Sequence, residues 1–228
     1  KAGHSTGQIA GLETARLQDL VRQDAPGELS TPRPESDDDE PVSIVARSIV
    51  AVRQLNGESL EKELAQAGIR LSRIRLLEEV IVPLIRQVGE EWHLGTLRIA
   101  EEHLATAAIR SFLGRLLGAD RPNASATTII VTTPTGQSHE IGALLAAVTA
   151  SACGWRVLYL GPQLPAEEIC AAAQRQGARA IGLSVVYPDN DPTVPGELER
   201  MRQGLGPEVD LLVGGRVAAA YGEALQRT

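Results

Sequence analysis

The sequence predicts an α/β fold in which a four-helix bundle precedes a doubly wound parallel sheet. Two observations predict it. Apolar residues recur with a helical period across residues 42–117. After a turn signal at residues 120–123, short β-branched segments alternate with helical ones. A chain of 228 residues is long enough for two compact domains of this kind.

The composition is that of an ordinary soluble globular protein, with 43% hydrophobic and 22% charged residues. A net charge of −7 argues against this chain being, by itself, the main electrostatic contact with DNA or an anionic membrane. Cys153 and Cys170 form no C-x-x-C pair, which favours a reducing, cytoplasmic setting. No apolar run approaches 18 residues, so we expect no membrane partner.

Two short segments precede the bundle. Residues 1–25 contain helix fragments separated by Gly3, Gly7 and Gly11, and they are too few to bury a core of their own. Residues 26–41 combine prolines with an acidic run and show no helical period. This composition predicts a solvated, flexible linker.

The helices of the bundle follow from apolar spacing. Val45, Ile49 and Val52 fall at i, i+4 and i+7, and Asn56-Gly57 ends that first helix. The later helices are predicted at residues 59–67, ended by Gly68, at 71–94 and at 97–117. Short connections between four helices indicate an antiparallel bundle spanning residues 42–120.

The second domain, residues 124–228, alternates strands and helices. Strands are predicted at residues 127–133, 155–160, 180–186 and 210–213, and helices at 140–152, 165–176, 197–204 and 218–225. This order predicts a Rossmann-like (flavodoxin-like) doubly wound parallel sheet.

His139 lies in the loop from the first strand to its helix. Ligands of open α/β sheets bind at such loops, where the carboxyl ends of the strands emerge. One ring nitrogen of His139 can bind a metal while an acceptor holds the other, and the side-chain oxygen of Gln137 is a candidate acceptor. Gly142 leaves room where the helix begins. From the loop alone, the alternative is a histidine that only caps the helix or forms a hydrogen bond within the loop.

The segment His139-Glu140-Ile141-Gly142 resembles the H-x-x-G motif of cobalamin-binding domains. The resemblance implies that His139 is the lower axial ligand of cobalt and that the nucleotide tail of the cofactor passes between the sheet and the first helix. It implies further cofactor contacts from the same loop and from the ends of the third and fourth strands: Gln137, Ser138, Glu140, Ile141, Gly142, Ser184, Val186, Gly214 and Gly215.

Gln137 departs from this family, which usually has an acidic residue two positions before the histidine. A neutral amide can orient an imidazole but makes it a weaker donor to cobalt. Methyl-transfer chemistry in the family uses a carboxylate–histidine pair as a proton relay. Gln137 therefore counts against that chemistry.

The bundle carries a second pattern, W-x9-E-H, formed by Trp92, Glu102 and His103. Taken singly, these residues fit packing or a solvated surface. Together they resemble the bundle of CarH-type light-sensing regulators of the MerR class. The resemblance implies that Trp92, Ile99, Glu102 and His103 cover the upper face of adenosylcobalamin. It also implies that His93 is an upper cobalt ligand after photolysis, the alternative being a surface histidine.

Residues 4–12 resemble the end of a MerR-type winged helix-turn-helix domain, so residues 1–25 are expected to be a remnant of it, and His4 receives no metal role. The resemblance implies a homo-oligomer, dimer or tetramer, that binds DNA through a domain largely outside this sequence. The expected function is a light-sensing transcriptional regulator and not an enzyme, with methylcobalamin or hydroxocobalamin as other upper-ligand forms. A corrinoid carrier of a methyltransferase system and a cobalamin-binding anti-repressor are the alternatives.

Overall fold

The computed structural model describes residues 39–222. Four helices form the bundle: α1 (Asp39–Arg53), α2 (Gly57–Arg70), α3 (Val82–His93) and α4 (Ile99–Ala119). A helical turn at Arg73–Arg75 and a π-helical segment at Leu76–Ile81 lead into α3 without a break. The predicted helical bundle is confirmed.

Two helix boundaries in the bundle differ from the predicted ones. α1 begins at Asp39, inside the predicted linker, because Pro41 lies in the first turn, where its missing N–H is not needed. α2 continues past Gly68 to Arg70. A Cβ at residue 68 would lie 3.4 Å from the ring of Phe112, so this glycine permits close helix packing and does not end the helix. The predictions for residues 1–38 lie outside the described residues.

The π-helical segment has a local cause in Pro83. The N–H of Val82 donates to the carbonyl of Leu77, five residues back. Pro83 follows directly and has no N–H to give to the carbonyl of residue 79, so the α-helical ladder is interrupted at this point. The predicted third helix at residues 71–94 is therefore one helical stretch with an internal change of pitch.

The second domain is a parallel sheet of four strands with the order β2-β1-β3-β4. The strands are β1 (Thr128–Thr132), β2 (Arg156–Tyr159), β3 (Ala180–Ser184) and β4 (Asp210–Gly214). Strand order reverses between β1 and β3, so the loops after these two strands border the crevice where ligands of such sheets bind. The predicted doubly wound α/β fold is confirmed.

The connecting helices are α5 (Ile141–Ala152), α6 (Ala166–Gln176) and α7 (Thr193–Gly204), followed by a 3-10 helix at Ala218–Tyr221. α7 begins four residues before the predicted start, and the carboxylate of Asp191, just before the helix, accepts the N–H of its first residue, Thr193. The predicted last helix, residues 218–225, is a 3-10 helix over its first four residues, and residues 223–228 lie outside the described range.

α5 lies between the sheet and the bundle. Its small residues Ala143 and Ala147 pack on β1, while Leu144 and Val148 belong to the core of the bundle. α6 and α7 cover the opposite face of the sheet. The helix that follows His139 is therefore part of both domains. Among residues 39–222, none of the helices is both long and apolar enough to cross a membrane.

Candidate functional site

Gln137 joins the loop after β1 to the loop after β3. Its side chain is fully buried, and its Oε1 accepts the backbone N–H groups of Val186 (2.9 Å) and Tyr187 (3.1 Å). Its Nε2 donates to Oδ2 of Asp191 (3.2 Å). The two loops that border the crevice are therefore held together by one side chain.

His139 is exposed at this edge of the sheet, and its ring meets Tyr187. The two ring centroids lie 5.7 Å apart with an interplanar angle of 74°, an edge-to-face arrangement. The prediction that the oxygen of Gln137 orients His139 is wrong, because two backbone N–H groups already occupy that oxygen. Tyr187, which the sequence analysis missed, is the side chain against the imidazole.

Gly142 and Ser184 approach each other closely, where α5 begins beside the end of β3. A Cβ at residue 142 would lie 2.5 Å from the Oγ of Ser184 and 3.7 Å from Val186. Ser184 is buried, and its hydroxyl has no hydrogen-bond partner among the described residues. A buried hydroxyl without a partner costs free energy, so this position is suited to a ligand that supplies an acceptor.

The two glycines at the end of β4, Gly214 and Gly215, have different roles. Gly215 has φ +109°, and a Cβ there would lie 2.3 Å from the carbonyl oxygen of Val185. A side chain at residue 215 is therefore excluded by the backbone itself. Gly214 is exposed, and a Cβ there would meet nothing within 4 Å. Of the pair, Gly214 is the one that leaves free surface for a ligand.

Glu140 ties the His139 loop to the bundle and to β2. Its Oε1 lies 2.5 Å from Nε of Arg110 on α4, and its Oε2 accepts the hydroxyl of Tyr159. Burial, together with this hydrogen bond to Glu140, raises the pKa of Tyr159. Ile141 packs partly buried against the bundle core. The structure thus shows Glu140 and Ile141, predicted cofactor contacts, bonded to or packed on protein groups.

One face of α4 runs from this ion pair toward the N-terminus of the helix. Glu102, Thr106 and Arg110 are spaced by four residues, so they share a face. The hydroxyl of Thr106 donates to Oε1 of Glu102 (2.7 Å), and Oε2 of Glu102 lies 2.9 Å from Nδ1 of His103. Glu102 is about 12 Å along the helix axis from Arg110. Because Arg110 contacts Glu140, this face of α4 leads to the loop that carries His139.

Trp92 and His93 end α3 and are exposed, as is Ile99 at the start of α4. Trp92 is 49% exposed and Ile99 is 64% exposed. The connection between the two helices is fixed by Glu91, whose carbonyl accepts the N–H and hydroxyl of Thr96. The predicted upper-face residues therefore form exposed apolar surface on a fixed turn.

Four residues of this region were missed by sequence reasoning. Arg110 had a signal, since it continues the four-residue spacing from Glu102. Tyr187 directly follows the segment that contains Ser184 and Val186. Asp191 and Tyr159 had no local signal, because their partners Gln137 and Glu140 are 54 and 19 residues away in sequence.

Residues 127–228 match a family model described as B12 binding domain, and residues 45–117 match a second model with the same description. The chain is 32% identical over 157 residues to the HTH-type transcriptional repressor CarH of Myxococcus xanthus. The matched region covers 69% of this chain and 52% of CarH. It is 29% identical over 136 residues to the repressor CarA of the same organism, covering 60% of this chain and 46% of CarA. The chain spans about half the length of these curated relatives.

Among solved structures, the chain is similar to the monomethylamine corrinoid protein of Methanosarcina barkeri. The TM-score is 0.58 at 18% identity, and the match covers 79% of this chain and 84% of that chain. At this identity the likeness is one of fold, with a helical domain followed by a parallel sheet.

Proposed function

Because the chain belongs to the B12-binding family and carries a cobalamin-binding region of the CarH type, we propose that it is the sensory part of a light-responsive transcriptional regulator that binds adenosylcobalamin. One observation carries the proposal. The ion pair between Arg110 and Glu140 connects the helix face that carries Glu102 with the loop that carries His139. The cofactor would lie between this face of α4 and the carboxyl edge of the sheet.

The residues at the edge of the sheet fit a corrinoid. His139 is an exposed imidazole beside the crevice and would hold the cobalt of a bound corrinoid. The unpartnered hydroxyl of Ser184 is a donor for an acceptor of the nucleotide tail. Gly214 leaves its surface free for the path of an extended ligand, and Gly142 lets the hydroxyl of Ser184 approach the start of α5. Ser138, exposed beside His139, borders the same path.

The upper face is formed by the exposed residues of the bundle. Trp92 and Ile99 offer apolar surface to the adenosyl group, and Glu102 and His103 offer polar groups to its sugar and base. Bound adenosylcobalamin supplies a cobalt–carbon bond that green light breaks. Trp92 and Ile99 are the exposed apolar side chains that a bound adenosyl group would cover. His93, next to Trp92 and exposed, would offer its imidazole to cobalt in the absence of the adenosyl group.

A ligand shifts a conformational equilibrium only by its different affinity for the two states. In this proposal the adenosyl group stabilises one packing of the bundle against the sheet, and its loss favours another. The packing that must rearrange is that of α5 on the bundle, because Leu144 and Val148 of this helix are part of the bundle core. The dark state would be a dimer or tetramer that holds DNA-binding domains, outside this chain, on an operator. The cofactor is changed once and not turned over, so the protein is not an enzyme.

Oligomeric size under light tests the proposal. The chain is loaded with adenosylcobalamin in the dark, and its mass is measured by light scattering before and after green light. We expect a larger assembly in the dark and a smaller one after illumination. Protein loaded with hydroxocobalamin is the control and should not respond to light. A spectrum and a mass that both stay unchanged in light would overturn the photoreceptor function.

A corrinoid carrier of a methyltransferase system is the second candidate, supported by the fold shared with the monomethylamine corrinoid protein. Gln137 argues against it, because a carboxamide bonded to Val186, Tyr187 and Asp191 supplies no proton to His139. Transfer of a methyl group from a methylated donor to the reduced, cobalamin-loaded chain would support the carrier. An anti-repressor would instead respond to cobalamin by binding a repressor protein, with no change in its own mass.

A further inference from the structure

Gln137 and Asp191, here called the Gln137–Asp191 pair, form a buried hydrogen-bonded unit under the His139 loop. Nε2 of Gln137 donates to Oδ2 of Asp191 at 3.2 Å. Oδ1 of Asp191 accepts the N–H of Thr193 at 2.9 Å and its hydroxyl at 2.6 Å. Both members are almost completely buried, at 0% and 5% exposure. Every oxygen and nitrogen of the two side chains therefore has a partner, as buried polar groups require.

The backbone around the pair is shaped to bring the two side chains together. Gly136 has φ +87°, and a Cβ there would lie 2.4 Å from Oδ2 of Asp191. The carbonyl of Gln137 accepts the hydroxyl of Thr133, and the N–H of Asp191 donates to the hydroxyl of Tyr221 at 2.8 Å. The pair is thus anchored to β1 on one side and to the 3-10 helix on the other.

The charge of Asp191 determines which residue fits at position 137. Burial raises the pKa of Asp191, but the hydrogen bonds from Thr193 and Gln137 outweigh it, so that the pKa is lowered and the carboxylate stays charged. An acidic residue at position 137 would place a second carboxyl group against Oδ2, so the two would either repel each other or have to take up a proton. An amide supplies the donor that Asp191 needs, and its oxygen still accepts the N–H groups of Val186 and Tyr187.

The pair reaches His139 through Tyr187. The oxygen of Gln137 fixes the N–H of Tyr187, and the ring of Tyr187 lies edge-to-face with the imidazole. We propose that the Gln137–Asp191 pair positions His139. The pair orients the imidazole indirectly, through the ring of Tyr187, and so replaces a carboxylate that would bond directly to the imidazole. The role of the imidazole as a cobalt ligand in this inference rests on the proposed function.

Exchanging the two groups tests the pair without cobalamin. The double variant Gln137→Glu/Asp191→Asn retains every hydrogen bond, because the new amide at residue 191 donates to the new carboxylate at residue 137. Gln137→Glu alone opposes two buried carboxylates, and we expect its melting temperature to fall by about 5 to 10 °C. Asp191→Asn alone opposes two amide donors and should also lose stability. The double variant should recover at least half of the melting temperature lost by the less stable of the two single variants. Gln176→Glu, an exposed position on α6, is the control for net charge.

The cobalt environment tests the positioning. Electron paramagnetic resonance of bound cob(II)alamin reports an axial histidine nitrogen, and labelling of histidine with ¹⁵N identifies it. We expect Gln137→Glu to weaken this coordination and to lower cob(II)alamin affinity about 10- to 100-fold, as loss of an outer-shell partner does at other metal sites. The double variant should restore both. Tyr187→Phe, which keeps the ring, should behave as the unmodified protein, and Tyr187→Ala should behave as Gln137→Glu.

The outcomes separate the two hypotheses. If the double variant is no more stable than Gln137→Glu and no better at coordinating cobalt, the Gln137–Asp191 pair does not position His139 and the inference fails. If Tyr187→Ala keeps full histidine coordination, positioning does not pass through Tyr187 and the inference fails. A third outcome is that the unmodified protein binds no cob(II)alamin, or shows no histidine nitrogen, while the double variant still recovers its melting temperature. In that case the proposed function fails, and the Gln137–Asp191 pair only stabilises the contact between the two loops.

Discussion

Arg110 on α4 forms an ion pair at 2.5 Å with Glu140, the residue that directly follows His139. The side chain of Glu140 is 15% exposed and also accepts the hydroxyl of Tyr159 on β2. One carboxylate therefore joins the bundle, the sheet and the loop that carries the candidate cobalt ligand. Movement of the bundle relative to the sheet has to strain or break this contact, which makes it a place where the two domains are coupled.

Removing the Arg110 charge should loosen the bundle on the sheet. Arg110→Met keeps the apolar stem but leaves Glu140 with Tyr159 as its remaining partner. Because Arg110 is 60% exposed, solvent screens the pair, and we expect a loss of about 1 kcal/mol in the free energy of unfolding. Amide hydrogen exchange in α5 should become faster. Arg179→Met is the control, because it removes an exposed ion pair with Glu208 between the residues that precede β3 and β4. Unchanged exchange in α5 would show that the ion pair does not couple the domains.

The two glycines after β4 should respond differently to alanine. Gly215→Ala forces a side chain into positive φ and against the carbonyl of Val185, so we expect a loss of about 3 kcal/mol or more in urea unfolding. Gly214→Ala enters open space and should change stability by less than about 0.5 kcal/mol. It should nevertheless weaken cobalamin binding, because the methyl group occupies surface proposed for the nucleotide tail. Cobalamin affinity equal to that of the unmodified protein would exclude Gly214 from the tail path.

Asp191 should give the protein a dependence on acidic pH. Its pKa is lowered in the folded state, so the carboxylate contributes stability above its unfolded pKa of about 3.9. That contribution is lost as pH falls through the lowered folded pKa. Asp191→Asn removes this group, so its unfolding free energy should fall less between pH 5 and pH 2 than that of the unmodified protein. Asp189→Asn, at an exposed position, is the control. Identical pH profiles for Asp191→Asn and the unmodified protein would contradict the assignment.

Trp92 should be needed for assembly of the protein in the dark and not for binding of the cofactor. Trp92→Ala removes the largest exposed apolar side chain of the predicted upper face but leaves His139 untouched. We expect adenosylcobalamin still to bind in the dark, with dark assembly weakened in light scattering. Leu94→Ala, which removes a neighbouring side chain that is 75% exposed, is the matched control. Dark assembly that survives Trp92→Ala intact would remove the upper-face role from Trp92.

Helices and strands were predictable wherever burial follows a simple period. The stripe of Val45, Ile49 and Val52 is one face of α1, and the β-branched run of β1 is buried in a parallel sheet. Such patterns need only the neighbours in sequence, which is why the bundle and the four strands were both predicted. The π-helical segment was not, because it depends on how Pro83 is accommodated in a helix that tertiary packing keeps continuous.

The loops that carry the candidate site were predictable, but the contacts made by their side chains were not. His139, Gly142 and Ser184 follow from a motif placed at the ends of strands, and the structure brings Gly142 and Ser184 together. The partners of Gln137 were not predictable, because Val186, Tyr187 and Asp191 are 49 to 54 residues away. An amide has both a donor and an acceptor, so its bonds are decided by what the fold brings near it.

The ultraviolet–visible spectrum of the chain loaded with adenosylcobalamin in the dark tests the central claim most directly. We predict that the unmodified protein binds the cofactor tightly, with the spectrum of a cobalt ligated by histidine. His139→Ala should lose that spectrum and bind at least about tenfold more weakly. His103→Ala, which removes an exposed imidazole from α4, should keep the spectrum of histidine ligation. An His139→Ala variant with the affinity and spectrum of the unmodified protein would contradict the account.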